Sequence, residues 1–194
     1  VDGRPVKGQF TIAHQEIAKR PKIWLEPTAV ANPAAVRAIL RADLVVVAPG
    51  NLYGSLAPVL VIDGIRRALH ETRAKCVYVC NLVTKPGPTD GFTVKDFASE
   101  IERLAGGEFL DYVVFNNDEP SPELMEKYAH GGELVVKYDL NELRRQHYDF
   151  RGVPILAKQA WTGAQASDPI ASARSFIRHD SDAVARQLMR LYFA

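Results

Sequence analysis

Three short apolar runs, each followed by a polar loop and then a helical pattern, constrain the fold of this chain more than any other feature. The runs cover residues 43–48, 75–80 and 111–115, and all three are rich in Val. Continuous apolar runs of this length, bounded by Pro, Gly or Asn, are typical of strands buried on both faces of a parallel sheet. Because these strands alternate with helices, we predict an α/β fold: a Rossmann-like, doubly wound, mainly parallel sheet.

Helices are predicted between and after these strands. Residues 33–41 form a short helix with Pro33 at its first position and Asn32 as its N-cap. The other predicted helices cover residues 57–71, 94–104, 122–129, 139–145 and 181–192.

Two further β segments are predicted from weaker patterns. The first 25 residues are expected to be β structure, because Asp2-Gly3 is a hairpin-type turn signal and the following residues alternate loosely. Residues 133–136 are expected to form a fourth strand. Residues 146–177 give no clear pattern beyond two extended-looking stretches.

The composition limits the classes of partner. The chain has 194 residues, with 24 Lys plus Arg against 23 Asp plus Glu and a net charge of +1. Binding to nucleic acid usually needs a strong basic excess, so a nucleic-acid partner is not predicted. The longest apolar run, residues 56–62, is far shorter than the roughly 20 residues of a membrane-spanning helix, so no membrane partner is predicted either.

The two cysteines indicate a reducing compartment. Cys76 and Cys80 lie four positions apart on a predicted strand, about 13 Å apart along it. That separation is too large for a disulfide, so we predict two buried, reduced thiols in a cytoplasmic protein.

The loop after the first strand, PGNLYGS, is the first candidate for ligand binding. In open α/β sheets ligands bind beyond the carboxyl ends of the strands. Gly50 and Gly54 permit close backbone approach, and the backbone N–H groups of the following helix could hold an anion. Asn51 adds an amide, Tyr53 an aromatic face and Ser55 a hydroxyl. The alternative is a plain Gly-rich turn in which Ser55 caps the helix.

Two more polar loops follow the second and third strands. The connection NLVTKPGPTDGFT is longer than the usual 2–6 residues. In it Lys85 could meet a phosphate and Asp90 a divalent ion or a ribose hydroxyl, although Thr89 or Asp90 could instead cap the next helix. Asn116 and Asn117 could bind a ligand or satisfy the backbone at the strand end.

The segment before the last helix adds a cation and a histidine. Arg178 offers a two-pronged guanidinium for phosphate, and Asp180 is expected to cap the helix. His179 could act as a general acid or base, but local hydrogen bonding is the favoured interpretation. Since no Ser or Cys has an oriented base, we predict no catalytic residue.

Four motifs in order carry a family resemblance. They are ADLVVVAPGNLYGSLAPVLVIDGIRRAL, YVCNLVTKPGPTDGFTVKDF, DYVVFNN and IRHD. Together they resemble the family that unites the bacterial gluconeogenesis factor (YvcK type), which binds UDP-sugars, with the 2-phospho-L-lactate transferase (CofD type) of deazaflavin coenzyme biosynthesis. Ala48, Asn51 and Gly54 depart from the pattern GPGSLYTS, and Asn51 leans towards the transferase.

The resemblance implies a nucleotide-sugar-binding regulator without a cofactor, bound to a ligand such as UDP-N-acetylglucosamine. It would be linked to central carbon metabolism, cell-wall precursor supply and cell shape. The ligand-binding residues expected on this basis are Asn51, Tyr53, Ser55, Asn81, Thr84, Thr89, Asp90, Asn116, Asn117 and Arg178. Tyr138 is a further stacking candidate, with packing as its alternative role.

The alternative is a phospholactyl-type transferase. Such an enzyme would use a nucleoside-diphosphate-activated donor and Mg²⁺, with Asp90 as a metal-ligand candidate. Its chemistry depends on positioning and charge neutralisation, so the lack of an activated nucleophile does not exclude it.

The family's Gly-rich strand-loop-helix, which cradles nucleotide phosphates, has no counterpart in this sequence. The resemblance therefore implies that residues 1–194 form a single α/β domain, the C-terminal part of a larger one. A missing strand would expose a sheet edge that could pair with another chain, for example in a homodimer.

Overall fold

Four strands form one parallel sheet in the computed structural model, which describes residues 5–8, 11, 19–130, 132–157 and 177–194. All neighbouring strands run parallel, and their order in the sheet is their order in the chain. The strands are β1 (Leu44–Val47), β2 (Lys75–Val79), β3 (Tyr112–Asn116) and β4 (Asp149–Val153). This arrangement confirms the predicted Rossmann-like α/β class.

Seven helices and one π-helical turn connect and cover these strands within the described residues. The π-helical turn, Leu52–Leu56, follows β1. The helices are α1 (Pro33–Arg41), α2 (Ala57–Leu60), α3 (Asp63–Glu71), α4 (Val94–Ala105), α5 (Pro122–His130), α6 (Leu140–Leu143) and α7 (Ser181–Phe193). Asn32 caps α1 and Asp180 caps α7, as predicted. Among the described residues, no helix is both long and apolar enough to cross a membrane.

Helices cover both faces of the sheet because side chains on successive strand residues point to opposite sides. On one face, Tyr78 and Phe115 pack in a large core with the buried apolar residues of α3 and α4. On the other face, Val77 and Val79 pack against Leu191 of α7. The two cysteines are buried and free, as predicted.

The predicted fourth strand, residues 133–136, is wrong. Val135 and Lys137 make only isolated bridges, to Val83 and Thr93 in the loop after β2. The fourth strand is β4 instead, in the region without a clear sequence pattern. Since β4 pairs only with β3 among the described residues, it is an edge strand and tolerates charged side chains such as Arg151.

Two other predicted elements also differ from the structure. The single helix expected over 57–71 is divided between α2 and α3, because Ile62 between them adopts an extended conformation. The described residues among the first 25 form no strand, and Asp2 and Gly3 lie outside the described residues. Most of the extended-looking region near the C-terminus, residues 158–176, lies outside them as well.

The break between α2 and α3 places Gly64 directly against the segment before α1. A Cβ atom built on Gly64 would lie 2.5 Å from the Cβ of Ala31, far inside van der Waals contact. Only glycine at this position lets α3 and the residues before α1 approach so closely.

We expect Gly64→Ala to lower the free energy of unfolding by about 1–3 kcal/mol, the usual cost of overpacking, despite the better helix propensity of alanine. In the double variant Ala31→Gly/Gly64→Ala the clashing methyl group is gone, so most of that loss should be recovered. Urea denaturation of the wild type, both single variants and the double variant measures this cycle. If the losses of the two single variants simply add in the double variant, the close contact between the two residues is contradicted.

Candidate functional site

Hydrogen bonds join the loops after β1 and β2 at the carboxyl edge of the sheet. Asn81, two residues after β2, donates from Nδ2 to the carbonyl oxygen of Gly50 over 2.8 Å. Its Oδ1 accepts from the hydroxyl of Tyr78 at 2.9 Å. The predicted residue Asn81 therefore holds the first two candidate loops together.

Two asparagines make the equivalent connection between β3 and β4. Asn116 Oδ1 accepts from the backbone N–H of Ile155 at 3.2 Å, and Asn117 Nδ2 donates to the carbonyl of Gly152 at 3.1 Å. Asn116 also holds its own loop, because Nδ2 donates to the carbonyl of Asp118.

The segment before α7 lies across the same edge. Ala157 donates to the carbonyl of Arg178, and Leu156 bridges His179. His179 Nε2 lies 3.0 Å from the carbonyl oxygen of Cys80. We call the connected set of Gly50, Asn81, the Asn116–Asn117 pair and residues 178–180 the rim.

Burial shifts the pKa of His179 in the rim and of its neighbour Cys80. The pKa of His179 is lowered mainly by burial, while its bond to the Cys80 carbonyl acts in the opposite direction. Since a carbonyl only accepts, Nε2 carries the hydrogen in this bond. Burial also raises the pKa of the Cys80 thiol to about 12.

The π-helical turn after β1 uses its own backbone N–H groups. Gly54 donates to Asn51 Oδ1 at 2.8 Å, and the backbone N–H groups of Ser55 and Leu56 donate to the Asn51 carbonyl. These three groups, expected to be free for an anion, are thus committed to Asn51. The side chain of Ser55 is exposed.

Tyr53 is an anchor of this turn, with only 2% of its surface exposed. Its hydroxyl donates to Glu100 Oε1 at 2.8 Å, and Glu100 is fully buried. Arg103 reaches both oxygens of the same carboxylate, at 2.7 and 2.6 Å. Burial first, and then the bond to Glu100, raise the pKa of Tyr53. In this conformation the Tyr53 ring is not open to a stacking ligand.

Sequence reasoning missed Glu100 and Arg103. A Glu and an Arg three residues apart on a helix form an ordinary solvated pair in most proteins. The available signal was the position of Glu100 between Phe97 and Ile101, on the apolar side of α4.

The two threonines of the second loop shape it internally. Thr84 Oγ1 accepts from the backbone N–H of Leu134, and Thr89 Oγ1 accepts from that of Lys85. Both threonines are buried. The helix α4 is capped by Thr93, which shares a capping box with Asp96, so neither Thr89 nor Asp90 has that role.

The charged groups of the second loop also have local partners. Lys85 pairs with Glu133, and burial lowers the lysine pKa. Asp90 Oδ2 accepts from the backbone N–H of Gly87 at 3.0 Å. Within the part of the chain that the structure describes, no group of three or more His, Cys, Asp or Glu side chains could hold a metal. Asp90 by itself does not fit a magnesium site.

The predicted residues therefore differ in accessibility. Ser55, Asp90 and Asn117 are exposed, whereas Tyr53, Thr84 and Thr89 are buried. The half-buried ones are Asn51, Asn81, Asn116 and Arg178, and Arg178 makes interactions of its own. Their assignment as ligand-binding residues stays a prediction.

A cavity of about 610 Å³ lies beside the π-helical turn. Ser55 and Tyr53 line it together with Trp24, which is 52% exposed, and with the charged residues Lys7, Lys22 and Glu26. Lys7 pairs with Glu26 at 2.8 Å. We call this space the Trp24 cavity; sequence reasoning did not single out Trp24, because an isolated tryptophan before a Glu-Pro pair carries no motif.

Comparison with known protein families decides the assignment of the chain. The family described as 2-phospho-L-lactate transferase CofD matches residues 1–156. The chain belongs to the CofD family.

The relatives named gluconeogenesis factor belong to the same group. The gluconeogenesis factor of Bacillus subtilis is 31% identical over 192 residues, which are 98% of this chain and 56% of the relative. A Clostridium acetobutylicum relative, also named as a gluconeogenesis factor, is 36% identical over 97% of this chain and 40% of its own length. The chain of this CofD-family protein thus spans about half the length of these relatives.

Solved structures agree with the fold. Two crystal structures of a Bacillus halodurans protein, described in one as a member of the UPF0052 family, are similar at 26% identity. The better match has a TM-score of 0.81 and covers 97% of this chain and 56% of that protein. The other has a TM-score of 0.71 and covers 82% and 47%.

Because Glu100 is buried, we expect the loss of each of its two partners to lower the free energy of unfolding by a different amount. Arg103→Met should lower the free energy of unfolding by about 3–5 kcal/mol, because it leaves a buried carboxylate without its cation. Tyr53→Phe removes one of several donors and should cost about 1 kcal/mol. Urea denaturation measures both, and Arg144→Met on an exposed arginine serves as the control, with a change within about 0.5 kcal/mol. Equal costs for the two substitutions would contradict this account.

His179 predicts a pH dependence of stability. Its folded-state pKa lies below the ordinary value near 6.5, so the unfolded chain binds more protons below that pH. The histidine's contribution to stability is therefore complete above about pH 6.5 and is lost as the pH falls below it. We expect His179→Gln to lose less stability than the wild type between pH 8 and pH 5, measured by urea denaturation. A larger loss in the variant would show that the sign is wrong.

Proposed function

We propose that this CofD-family protein binds a nucleotide sugar of the UDP-N-acetylglucosamine type at the carboxyl edge of its sheet, as a regulator rather than a catalyst. One observation carries the proposal: the rim brings Asn81, the Asn116–Asn117 pair and Arg178, from three separate chain segments, to the edge where open α/β sheets bind ligands. The kinship with proteins named gluconeogenesis factor supports it.

The chemistry near the rim suits the parts of such a ligand. The Arg178 guanidinium is a two-pronged donor for a diphosphate. The exposed hydroxyl of Ser55 and amide of Asn117 suit sugar hydroxyls. The half-exposed ring of Trp24 offers a stacking surface, with Lys22 and the Lys7–Glu26 pair lining the same cavity and leaving one net positive charge.

The described nucleophile candidates favour binding over covalent catalysis. With thiol pKa values raised to about 11 for Cys76 and about 12 for Cys80, both cysteines are protonated near neutral pH. The ring nitrogen of His179 that faces the rim donates to a backbone carbonyl and so does not act as a base there.

The biological part of the proposal follows the family. The protein would act in the cytoplasm on central carbon metabolism, cell-wall precursor supply and cell shape, without a membrane or nucleic-acid partner. A homodimer is part of the proposal, supported by β1, which has one sheet neighbour among the described residues and exposes 38% of Val46.

A phospholactyl-type transferase is the second candidate, because the matching family carries that description. Arg178 would then hold the diphosphate of a nucleoside-diphosphate-activated donor. Such a transferase would also need Mg²⁺, and the described residues around Asp90 do not form a magnesium site.

A thermal-shift titration of the full gene product tests the two candidates. A UDP-sugar that binds the native state at 100 times its Kd should stabilise it by about 2.7 kcal/mol and so raise the unfolding midpoint. We expect this rise with UDP-N-acetylglucosamine or UDP-glucose, and none with GDP or GTP. The variant Arg178→Ala should weaken binding about ten-fold or more, because it removes a charge-assisted contact.

Two further variants make the titration more specific. Ser55→Ala should weaken binding less than Arg178→Ala, while Arg186→Ala, which removes an exposed arginine from α7, should leave it unchanged. A rise with guanine nucleotides alone, followed by their consumption only with acceptor and Mg²⁺, would favour the transferase. No rise with any of the four nucleotides would contradict both candidates.

A further inference from the structure

A second cavity lies at the end of β3 and has a character different from that of the Trp24 cavity. It encloses about 720 Å³, a size usual for small-molecule sites. Its walls are residues 116–120 of the loop after β3, one side of α5, and the segment 133–138. We call it the β3 cleft.

One wall of the β3 cleft is aromatic and apolar. The ring of Tyr138 packs on the buried ring of Phe115, with centroids 4.6 Å apart, and yet remains 42% exposed. Leu134 is 53% exposed and Met125 38% exposed on the same cleft. Large apolar side chains gathered in one concavity, rather than scattered, indicate a binding surface.

Backbone hydrogen bonds hold this wall in place. Leu134 donates to Thr84 Oγ1 and Val136 donates to the carbonyl of Leu82, so the segment is tied to the loop after β2. On the opposite side, the bonds of Asn116 with Asp118 fix the first residues of the β3 loop. The cleft is therefore formed before any ligand enters it.

The charge of the β3 cleft is negative. Asp118, Glu119 and Glu126 line it, and none of them takes part in an ion pair among the described residues. Glu133 is neutralised by Lys85, and Lys137 is the one lysine among the lining residues. This arrangement repels a diphosphate and attracts a cation.

We propose that the β3 cleft binds a small organic cation with a flat apolar body, such as an aromatic amine, at a second site that adjoins the one for the nucleotide sugar at Asn116 and Asn117. The apolar body would lie against Leu134 and Met125 with the cationic group facing the Tyr138 ring and the carboxylates, since an exposed aromatic face attracts cations. The proposal does not depend on the proposed function, because it rests on the aromatic wall and the carboxylates of the cleft, although Asn116 and Asn117 border both sites.

Three indole probes of equal size and different charge test the proposal. Tryptamine is a cation, indole is neutral and indole-3-acetate is an anion at pH 7. In saturation-transfer NMR titrations of the full gene product, we expect tryptamine to bind most tightly, indole more weakly and indole-3-acetate least.

Variants of the cleft locate the binding. Tyr138→Leu keeps an apolar contact with Phe115 and should weaken tryptamine binding about two- to five-fold. Glu126→Gln should weaken tryptamine by a similar factor and leave indole unchanged, because it removes charge without volume. Leu134→Ser should weaken both probes, and it keeps the test valid if Tyr138→Leu fails to fold. Tyr192→Leu, on an exposed ring of α7, is the control and should change nothing.

The opposite results overturn the proposal. Equal binding of tryptamine and indole-3-acetate would show that the carboxylates do not select the ligand. Unchanged tryptamine binding in both Tyr138→Leu and Leu134→Ser, with circular dichroism showing intact folds, would place the binding elsewhere. No binding of any indole probe would show that the cleft is not a site for such molecules.

Discussion

The buried carboxylate of Glu100 anchors the π-helical turn after β1, which lies at the carboxyl edge of the sheet. An ionised carboxylate without partners is very costly to bury, so its position determines where its partners must be. Arg103 comes from the next turn of the same helix, but Tyr53 comes from the π-helical turn after β1. That single hydroxyl ties the turn to α4. The turn, whose backbone is also held by Asn51, carries the exposed Ser55 and part of the wall of the Trp24 cavity.

Asparagine side chains extend this order along the rest of the edge. Parallel strands end at one edge, and each ends with backbone groups that the sheet no longer satisfies. Asn81 and Asn116 bond backbone groups just beyond the strand ends, and Asn51 bonds a backbone N–H of the π-helical turn, because an amide both donates and accepts. The polar loops are therefore rich in asparagine chiefly because these side chains satisfy backbone groups. The side chains that remain available to a ligand are the exposed ones.

The sequence was sufficient to predict the strands and helices whose apolar residues follow a clear pattern. The valine runs predicted the bounds of β1, β2 and β3 to within one or two residues, because a continuous run of valines is characteristic of a strand buried on both faces. It was not sufficient for β4, whose segment Asp149–Val153 is polar because it lies at an edge, while the more apolar residues 133–136 lie outside the sheet. Apolar content therefore did not distinguish a buried strand from the partly exposed wall of a cleft.

Prediction of the candidate site from the sequence was limited in a similar way. Strand ends and loop lengths predicted where Asn81 and Asn116 would lie, because topology decides which loops share an edge. Which side chains face a ligand depended instead on local hydrogen bonds, and these buried Thr84 and Thr89 and turned Tyr53 towards Glu100. Only distant contacts, such as that of Tyr53 with a residue 47 positions away, could have revealed this.

The distribution of charge along the edge connects the two cavities. Lys7, Lys22 and Glu26 line the cavity near the loop after β1, where Glu26 pairs with Lys7 and one net positive charge remains. Asp118, Glu119 and Glu126 line the cleft after β3. Two strand spacings, roughly 10 Å, separate β1 from β3, about the Debye length at 0.1 M salt, so salt weakens the interaction between the two groups of charges. One sheet edge can therefore present a weakly positive and a negative cavity. A chain with a net charge of only +1 thus contains a local separation of charge that its overall composition could not show.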